Sequence, residues 1–323
     1  MPEYPEVTVY IERLRHFVQG HALERVRIAH IFLLRTADPP IATLEGRVVC
    51  AIERLGKRIV FVFDDAAQSG AAQSGAAAGE TGPGAPAPSG DLFLVLHLMI
   101  SGRLHWQKAG ARIPAKRGLG ALDFAHGTLL ITESSTQKRA SLHLVQGRAA
   151  LAAFDRGGLE VLDAPPAAFR AAMRAENHTL KRALTDPRIL SGIGNAYSDE
   201  ILHRARLSPF LLTRSLSDGQ LDQLYDATRA ILTEWAARLS DEAGEGFPEK
   251  VTAFHPAMAV HGRYGQPCPV CGTPVQRIQY ATNETNYCPQ CQTEGRLLAD
   301  RGLSRLLKED WPRTLEELED RRK

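Results

Sequence analysis

The chain has 323 residues, of which 44% are hydrophobic and 24% charged, so it is long enough for two domains and a small appended module. This composition is typical of a folded globular protein and excludes a wholly disordered chain. The formal net charge of +2 neither requires nor excludes a nucleic-acid partner, because the local distribution of charge decides that. The sequence has no apolar run as long as a membrane span and no signal-peptide pattern, so we expect a cytoplasmic protein.

The N-terminal segment predicts a helix. Apolar residues recur at helical spacing from Val7 to Val18, and Pro5 suits the first helical position. Pro2 and Glu3 are therefore expected just before the helix, in the field of its positive end.

The next part of the chain predicts a β-sandwich that carries this helix. Four segments rich in Val, Ile, Leu and Phe supply its strands, namely 23–32, 46–63, 91–107 and 120–145. His126-Gly127 indicates a hairpin turn between two of these strands. Residues 66–90 are a low-complexity Ala/Gly/Ser/Pro stretch, which we expect to be a disordered insertion in the sandwich.

From about residue 151 the apolar spacing becomes helical, which indicates an α+β multidomain protein. The predicted helices are 167–175, 180–184, 196–206 and 221–239. The predicted division is a sandwich at 1–150, a helical domain at 151–258, a cysteine module at 259–293 and a charged helical tail at 294–323.

Two CxxC pairs predict a zinc site. Cys268 and Cys271 are separated by 16 residues from Cys288 and Cys291, a spacing that lets four thiolates bind one tetrahedral Zn²⁺ ion. Four cysteine ligands leave no open position, so the zinc is expected to be structural. The sequence between the pairs predicts a two-stranded finger, which can bind nucleic acid or simply brace a fold.

Two glycine-containing motifs are candidates for phosphate contact. Gly192 and Gly194 predict a tight turn, with Asn195 at the start of the next helix, where its amide and free backbone N–H groups can face an anion. Gly56-Lys57 lies between two predicted strands. Taken alone, Asn195 is better explained as an ordinary helix cap, and the Gly56-Lys57 motif is better explained by solvated turn charges.

Pro2 offers a secondary amine once Met1 is removed. An α-amino group has a pKa of about 8, against about 10.4 for lysine, so about a tenth of it is neutral at pH 7. The positive end of the predicted helix lowers this pKa further. A neutral amine can attack an electrophilic carbon and form an iminium ion, and Glu3 beside it can transfer protons.

Together these segments resemble the formamidopyrimidine-DNA glycosylase / endonuclease VIII family. The matching segments are Met-Pro-Glu-Tyr-Pro-Glu-Val at 1–7, Gly56-Lys57, His-Leu-Met-Ile-Ser-Gly at 97–102, the helix-two-turn-helix signature at 192–200 and the lead into a four-cysteine finger at 261–268. The likeness spans nearly the whole chain apart from 66–90 and the tail.

The resemblance implies a base-excision-repair DNA glycosylase with AP lyase activity on oxidised or ring-opened bases. Pro2 would be the nucleophile that forms a Schiff base, Glu3 would protonate the sugar ring oxygen, and Glu6 would be a buried polar support. Lys57 and Asn195 would hold the phosphates on either side of the extruded nucleotide, and β,δ-elimination would then cut the strand. Damaged DNA would be the partner of a nucleoid-associated monomer that needs one Zn²⁺ and no organic cofactor.

The sequence departs from the family pattern at three positions. Asn283 stands where the finger tip usually carries a phosphate-binding Arg. Ile100 replaces a Met that fills the void left by the extruded nucleotide, and the segment around Arg139 lacks the Phe of an Arg-x-Phe wedge. We therefore expect slow cleavage of 8-oxoguanine opposite cytosine, compared with abasic or hydantoin substrates.

These departures motivate one alternative hypothesis, and the Pro2 amine leaves a second one open. One is a protein that binds damaged or abasic DNA on the same scaffold with weak catalysis, although a binding protein would need neither Pro2 nor Glu3. The other is a tautomerase that uses Pro2 as a base on a small keto acid, which leaves the finger and the helical domain unexplained.

Overall fold

The computed structural model describes residues 1–63, 92–249, 251, 254–279, 283–299 and 310–320. The predicted insertion at 66–90 lies outside these residues, as does much of the predicted tail helix. The chain divides into two compact units, unit 1 with residues 1–156 and 236–251, and unit 2 with residues 157–235 and 252–323. The division into four segments stays a prediction. No helix in the described ranges is both long enough and apolar enough to cross a membrane.

The predicted N-terminal helix is confirmed as α1 (Tyr4–Val18), which begins at the N-cap Glu3. A capping box fixes this start, because the Glu6 carboxylate accepts a hydrogen bond of 2.8 Å from the Glu3 backbone N–H and the Glu3 side chain accepts one in return. Pro5 is consequently the second helical residue rather than the first.

Unit 1 is the predicted β-sandwich. One antiparallel sheet has the order β1-β6-β7-β5, with β1 (Arg25–Ile28), β5 (Gly102–Gln107), β6 (Gly118–Phe124) and β7 (Gly127–Glu133). The other has the order β2-β3-β4-β8, with β2 (Val49–Leu55), β3 (Arg58–Phe63), β4 (Leu92–His97) and β8 (Ser141–Gln146). A single apolar core joins residues of both sheets to the inner face of α1, so the sandwich fixes the direction of that helix.

Tight turns set the strand register. Leu55 pairs with Arg58 across the β2–β3 hairpin, which leaves Gly56-Lys57 as its turn, with Gly56 at a φ of +60°. The predicted hairpin at His126 is confirmed, but Phe124 pairs with Gly127, so its turn residues lie one position earlier than predicted. The strands β3 and β4 are buried almost throughout, since a second apolar cluster with Leu151 of the short helix α2 (Arg148–Ala152) covers their outer face.

Unit 2 contains the predicted helices. They are α3 (Pro166–Ala175), α4 (Leu180–Thr185), α5 (Asn195–Arg204) and the first part of α6 (Asp218–Ala243), whose last residues belong to unit 1. The finger follows with strands β9 (Gln276–Gln279) and β10 (Glu284–Tyr287) and the short helix α7 (Pro289–Thr293). A final helix, α8, spans Leu315–Asp320 within the predicted tail.

Candidate active site and zinc finger

The N-terminal residues of unit 1 lie largely inside the fold. Pro2 and Glu3 are both buried, and Glu3 has 2% of its surface exposed. Burial lowers the pKa of the α-amino group at Met1 from its usual 8.0, Glu3 raises it, and the positive charge of Arg103 lowers it again. The amine of Met1 is therefore shifted towards its neutral form, which is the nucleophilic form of an amine.

Glu6 has 1% of its surface exposed, and it accepts the Glu3 N–H that begins α1. Arg103 on β5 is a residue of this region that the sequence did not single out. Its Nε donates to the backbone oxygen of Val251 over 2.6 Å, and its charge lowers the pKa of the amino terminus. An arginine at an alternating strand position gives no signal of such a contact in the sequence.

The β2–β3 turn carries a cluster of basic groups. Lys57 lies partly exposed in this turn, and the adjacent Arg58 donates from Nη1 to the backbone oxygen of Phe154 over 3.2 Å. His97 at the end of β4 is uncharged at neutral pH, because burial and the charges of Arg58 and Lys57 lower its pKa to about 4. The positive potential of this cluster suits a phosphate group.

Two loops of the sandwich carry exposed side chains, one apolar and the other cationic. Ile100, in the turn after β4, has 58% of its surface exposed. Arg139, in the loop before β8, is exposed, and its Nη2 donates to Oε1 of Gln137 over 2.6 Å.

In unit 2, Asn195 is the first residue of α5, as predicted, and Gly194 is the N-cap. Gly192 has a φ of +81°, which its lack of a Cβ permits. Asn195 is partly exposed, and its backbone oxygen accepts a hydrogen bond of 2.8 Å from Nζ of Lys181. Asn195 therefore stands at the positive end of this ten-residue helix.

A buried acidic pair on α5 holds the finger in place. The Asp199 side chain is fully buried and lies 2.5 Å from Nζ of Lys181 and 2.8 Å from Nδ1 of His261. It also accepts the backbone N–H of Asn286 on β10 at 3.1 Å. Glu200 beside it accepts three backbone N–H groups, those of residues 259, 260 and 261.

The sequence pattern predicts no role for Asp199, Glu200 or Lys181. Two adjacent acids before the apolar pair at 201–202 in a short predicted helix were the available signal. An acid in such a position must be buried with partners or must interrupt the apolar face.

The predicted zinc ligands converge. The Sγ atoms of Cys268, Cys271, Cys288 and Cys291 all lie within 4.8 Å of one another. The closest pairs are 3.4 to 3.9 Å apart, which excludes a disulfide of about 2.05 Å. Tetrahedral Zn–S bonds of about 2.3 Å place the sulfurs about 3.8 Å apart, so this cluster fits Zn²⁺. Asn283, immediately before β10, is exposed.

Family models match three successive parts of the chain. The N-terminal domain of formamidopyrimidine-DNA glycosylase matches residues 1–188, and the H2TH domain of that enzyme matches residues 160–242. The zinc finger found in FPG and IleRS matches residues 265–293. This finger and the four convergent thiols together support one structural zinc ion.

Relatives and solved structures agree with these matches. The formamidopyrimidine-DNA glycosylase of Thermus thermophilus is 33% identical over 305 residues, covering 91% of this chain and 100% of that protein. An uncharacterized formamidopyrimidine-DNA glycosylase-like protein of Mycobacterium tuberculosis is 40% identical over 151 residues, covering 47% of this chain and 94% of that protein. Lactococcus lactis Fpg, in a complex with DNA that contains an abasic site, shares the fold with a TM-score of 0.73 at 23% identity over 90% of this chain and 99% of that one. The chain therefore belongs to the formamidopyrimidine-DNA glycosylase family.

Proposed function

We propose that this base-excision-repair DNA glycosylase displaces oxidised or ring-opened bases with the amine of Pro2 and then cuts the strand as an AP lyase. The observation that carries the proposal is the buried Pro2-Glu3 pair at the positive end of α1, where burial lowers the pKa of the amino terminus. Removal of Met1 would expose the Pro2 amine to the DNA.

The chemistry needs only groups of this chain, the substrate and water. The Pro2 nitrogen forms a bond to the sugar C1′ while the bond from C1′ to the base breaks, and the departing base takes up the proton that the amine loses. Glu3 gives a proton to the ring oxygen, the sugar opens, and Pro2 is left as an iminium ion. Loss of a C2′ proton expels the 3′ phosphate, a second elimination expels the 5′ phosphate, and water releases the sugar fragment from Pro2.

Lys57 and Asn195 would hold the phosphates on either side of the extruded nucleotide. This role fits Lys57 because the residue lies in a turn with basic neighbours. The role fits Asn195 because this residue begins a ten-residue helix, whose positive end attracts an anion. The finger would add backbone contacts around Asn283. We expect the protein to work at the nucleoid as a monomer without an organic cofactor.

The proposed substrate preference follows from the exposed loops of the sandwich. Ile100 has a shorter side chain than methionine, and the uncharged Asn283 adds no cation. Fewer contacts with DNA therefore offset the free energy that is needed to unstack and unpair a nucleotide in an intact duplex. We expect single-turnover cleavage of abasic and hydantoin duplexes to be faster than that of 8-oxoguanine opposite cytosine. A higher rate on 8-oxoguanine would contradict this preference.

Borohydride trapping on an abasic duplex tests the function. We expect wild-type protein to give a covalent complex, with peptide mapping placing the adduct on residue 2. Pro2→Gly should trap much less, and an uncleaved N-terminal tag should abolish trapping because it turns the Pro2 amine into an amide. The same tag at the C-terminus is the matched control. An adduct on a lysine, or full trapping by Pro2→Gly, would show that the nucleophile is another residue.

The alternative function is binding of damaged or abasic DNA with weak catalysis. The replacements at Asn283 and Ile100 favour it. Tight binding of an abasic duplex without any borohydride-trapped complex would support this alternative.

A further inference from the structure

One buried carboxylate joins the two loops of the sandwich that carry Ile100 and Arg139. Glu133, at the end of β7, has 1% of its surface exposed. Its Oε1 accepts a hydrogen bond of 3.2 Å from Oγ of Ser101 in the β4–β5 turn. Its Oε2 accepts the backbone N–H groups of Arg139 at 2.8 Å and of Ala140 at 3.0 Å, in the loop before β8.

The β4–β5 turn is tightly constrained. The backbone N–H of Gly102 donates to the backbone oxygen of Leu98 over 2.9 Å. A Cβ on Gly102 would lie 2.2 Å from that oxygen, so the turn depends on glycine there. Met99 adopts a φ of +53°, which side chains rarely accept. This turn therefore holds Ile100 at an exposed tip.

The β7–β8 loop is held from its inner side. Lys138 donates from Nζ to the backbone oxygen of Glu133 over 2.5 Å, and the Glu133 carboxylate takes the next two backbone N–H groups. The Arg139 side chain itself stays exposed. The two loops thus present an apolar and a cationic side chain, with the same carboxylate between their backbones.

Proteins that enter a DNA duplex insert an apolar side chain between base steps and place arginine in the minor groove. Such groups act only when their relative positions are fixed to a fraction of an ångström, since a loose wedge loses its contacts. We propose that Glu133 is a positioning residue that holds the Ile100 turn and the Arg139 loop together as one wedge for opening duplex DNA. This inference rests on the proposed function.

The test compares two DNA substrates that need the wedge to different extents. Glu133→Gln keeps the size of the side chain but replaces one acceptor oxygen with an NH2 group, which cannot accept from the donors it faces. We expect its single-turnover rate on a hydantoin duplex to fall about tenfold. The rate on the same strand without its complement should change less than about twofold, because no duplex has to be opened.

Asp123→Asn is the matched control. Asp123, on β6 of the same sandwich, accepts hydrogen bonds from Arg27 and Thr128 and lies in neither loop. Its loss should lower thermal stability and leave the ratio of duplex to single-strand rates unchanged. If Glu133→Gln lowers both rates by the same factor, Glu133 only stabilises the fold and the inference is wrong.

Ser101→Ala covers the case in which Glu133→Gln fails to fold. It removes the single contact to Oε1, and it should shift the same ratio in the same direction by about threefold. An unchanged ratio in a folded Ser101→Ala protein would overturn the inference. If wild-type protein is not trapped on abasic DNA, the proposed function fails and this inference fails with it, whereas trapping with an unchanged ratio overturns this inference alone.

Discussion

In unit 1 the proposed reacting groups are neighbours in the sequence, whereas in unit 2 the groups that hold the finger are far apart in it. Pro2, Glu3 and Glu6 lie within five residues of one another around the start of α1, and a local capping box links Glu3 to Glu6. Asp199 instead contacts His261 and Asn286, which lie 62 and 87 residues away. A site built from neighbouring residues keeps its geometry when the surrounding fold shifts slightly. A site whose residues are distant in the sequence loses its geometry when one of its buried partners is lost.

Removal of zinc should have the largest effect, and this effect should be confined to unit 2. We expect chelation to unfold the finger and abolish binding of an abasic duplex, because a small metal module owes its fold to the metal. The sandwich of unit 1 should keep its protection from hydrogen exchange. Fluorescence anisotropy and hydrogen exchange measure the two effects.

Cys288→Ser should reproduce the effect of chelation. Cys50→Ser is the control, since Cys50 on β2 lies outside the four-cysteine cluster. Full DNA affinity after complete loss of zinc would show that the finger plays no part in binding.

Loss of the Asp199 carboxylate should be the next largest effect. Asp199→Asn keeps the side-chain volume but leaves the partly buried Lys181 without its counter-charge. Breaking a buried ion pair in this way costs up to about 3–5 kcal/mol. Unit 2 should unfold at lower urea concentration and unit 1 should not, as hydrogen exchange resolved by peptide would show.

Asp186→Asn is the matched control for Asp199→Asn. Its partner Arg188 is 61% exposed, so we expect a much smaller change than for Asp199→Asn. Similar losses in both variants would mean that the α5–finger network is no more important than a surface ion pair.

These contacts also mark the limit of sequence-based prediction here. The helix α1, the hairpin turns, the four cysteines and Asn195 at the start of α5 depend on local pattern, and the sequence predicts them. The roles of Asp199 and Glu133 depend on which distant backbone and side-chain groups meet them inside the fold, and no spacing rule contains that information. The one-residue shift of Pro5 has a local cause, since the Glu3–Glu6 capping box starts the helix one residue earlier.

A smaller effect concerns the basic cluster of unit 1. The pKa of His97 is about 4 in the folded protein and about 6.5 in an unfolded chain, because burial and then Arg58 and Lys57 oppose its charge. The unfolded state therefore binds more protons between these values, and stability falls as the pH falls through this window. We expect wild-type protein to lose about 1 kcal/mol of unfolding free energy between pH 6.5 and 5.5 from this group.

Urea unfolding of His97→Gln at both pH values checks this expectation. The variant should lack that part of the pH dependence, whereas His126→Gln, in an exposed turn, should keep it. If the unfolding free energy changes equally with pH in all three proteins, a group other than His97 causes this pH dependence.

The last effect concerns single phosphate contacts, one in each unit. Asn283 is exposed at the tip of the finger, next to Glu284, which lies 3.7 Å from Arg277. Asn283→Arg adds one cation there, and each phosphate contact adds about 0.9 to the slope of log K against log salt. We expect a steeper slope by about that amount and an affinity gain of about fivefold to tenfold near 0.1 M salt. Asn283→Gln is the uncharged control and should leave the slope unchanged.

Lys57→Ala in unit 1 should flatten the slope by a similar amount, since it removes one cation from the proposed phosphate-binding turn. If Asn283→Arg leaves the slope unchanged while Lys57→Ala flattens it, the finger tip lies away from the DNA backbone and unit 1 holds the phosphates without it.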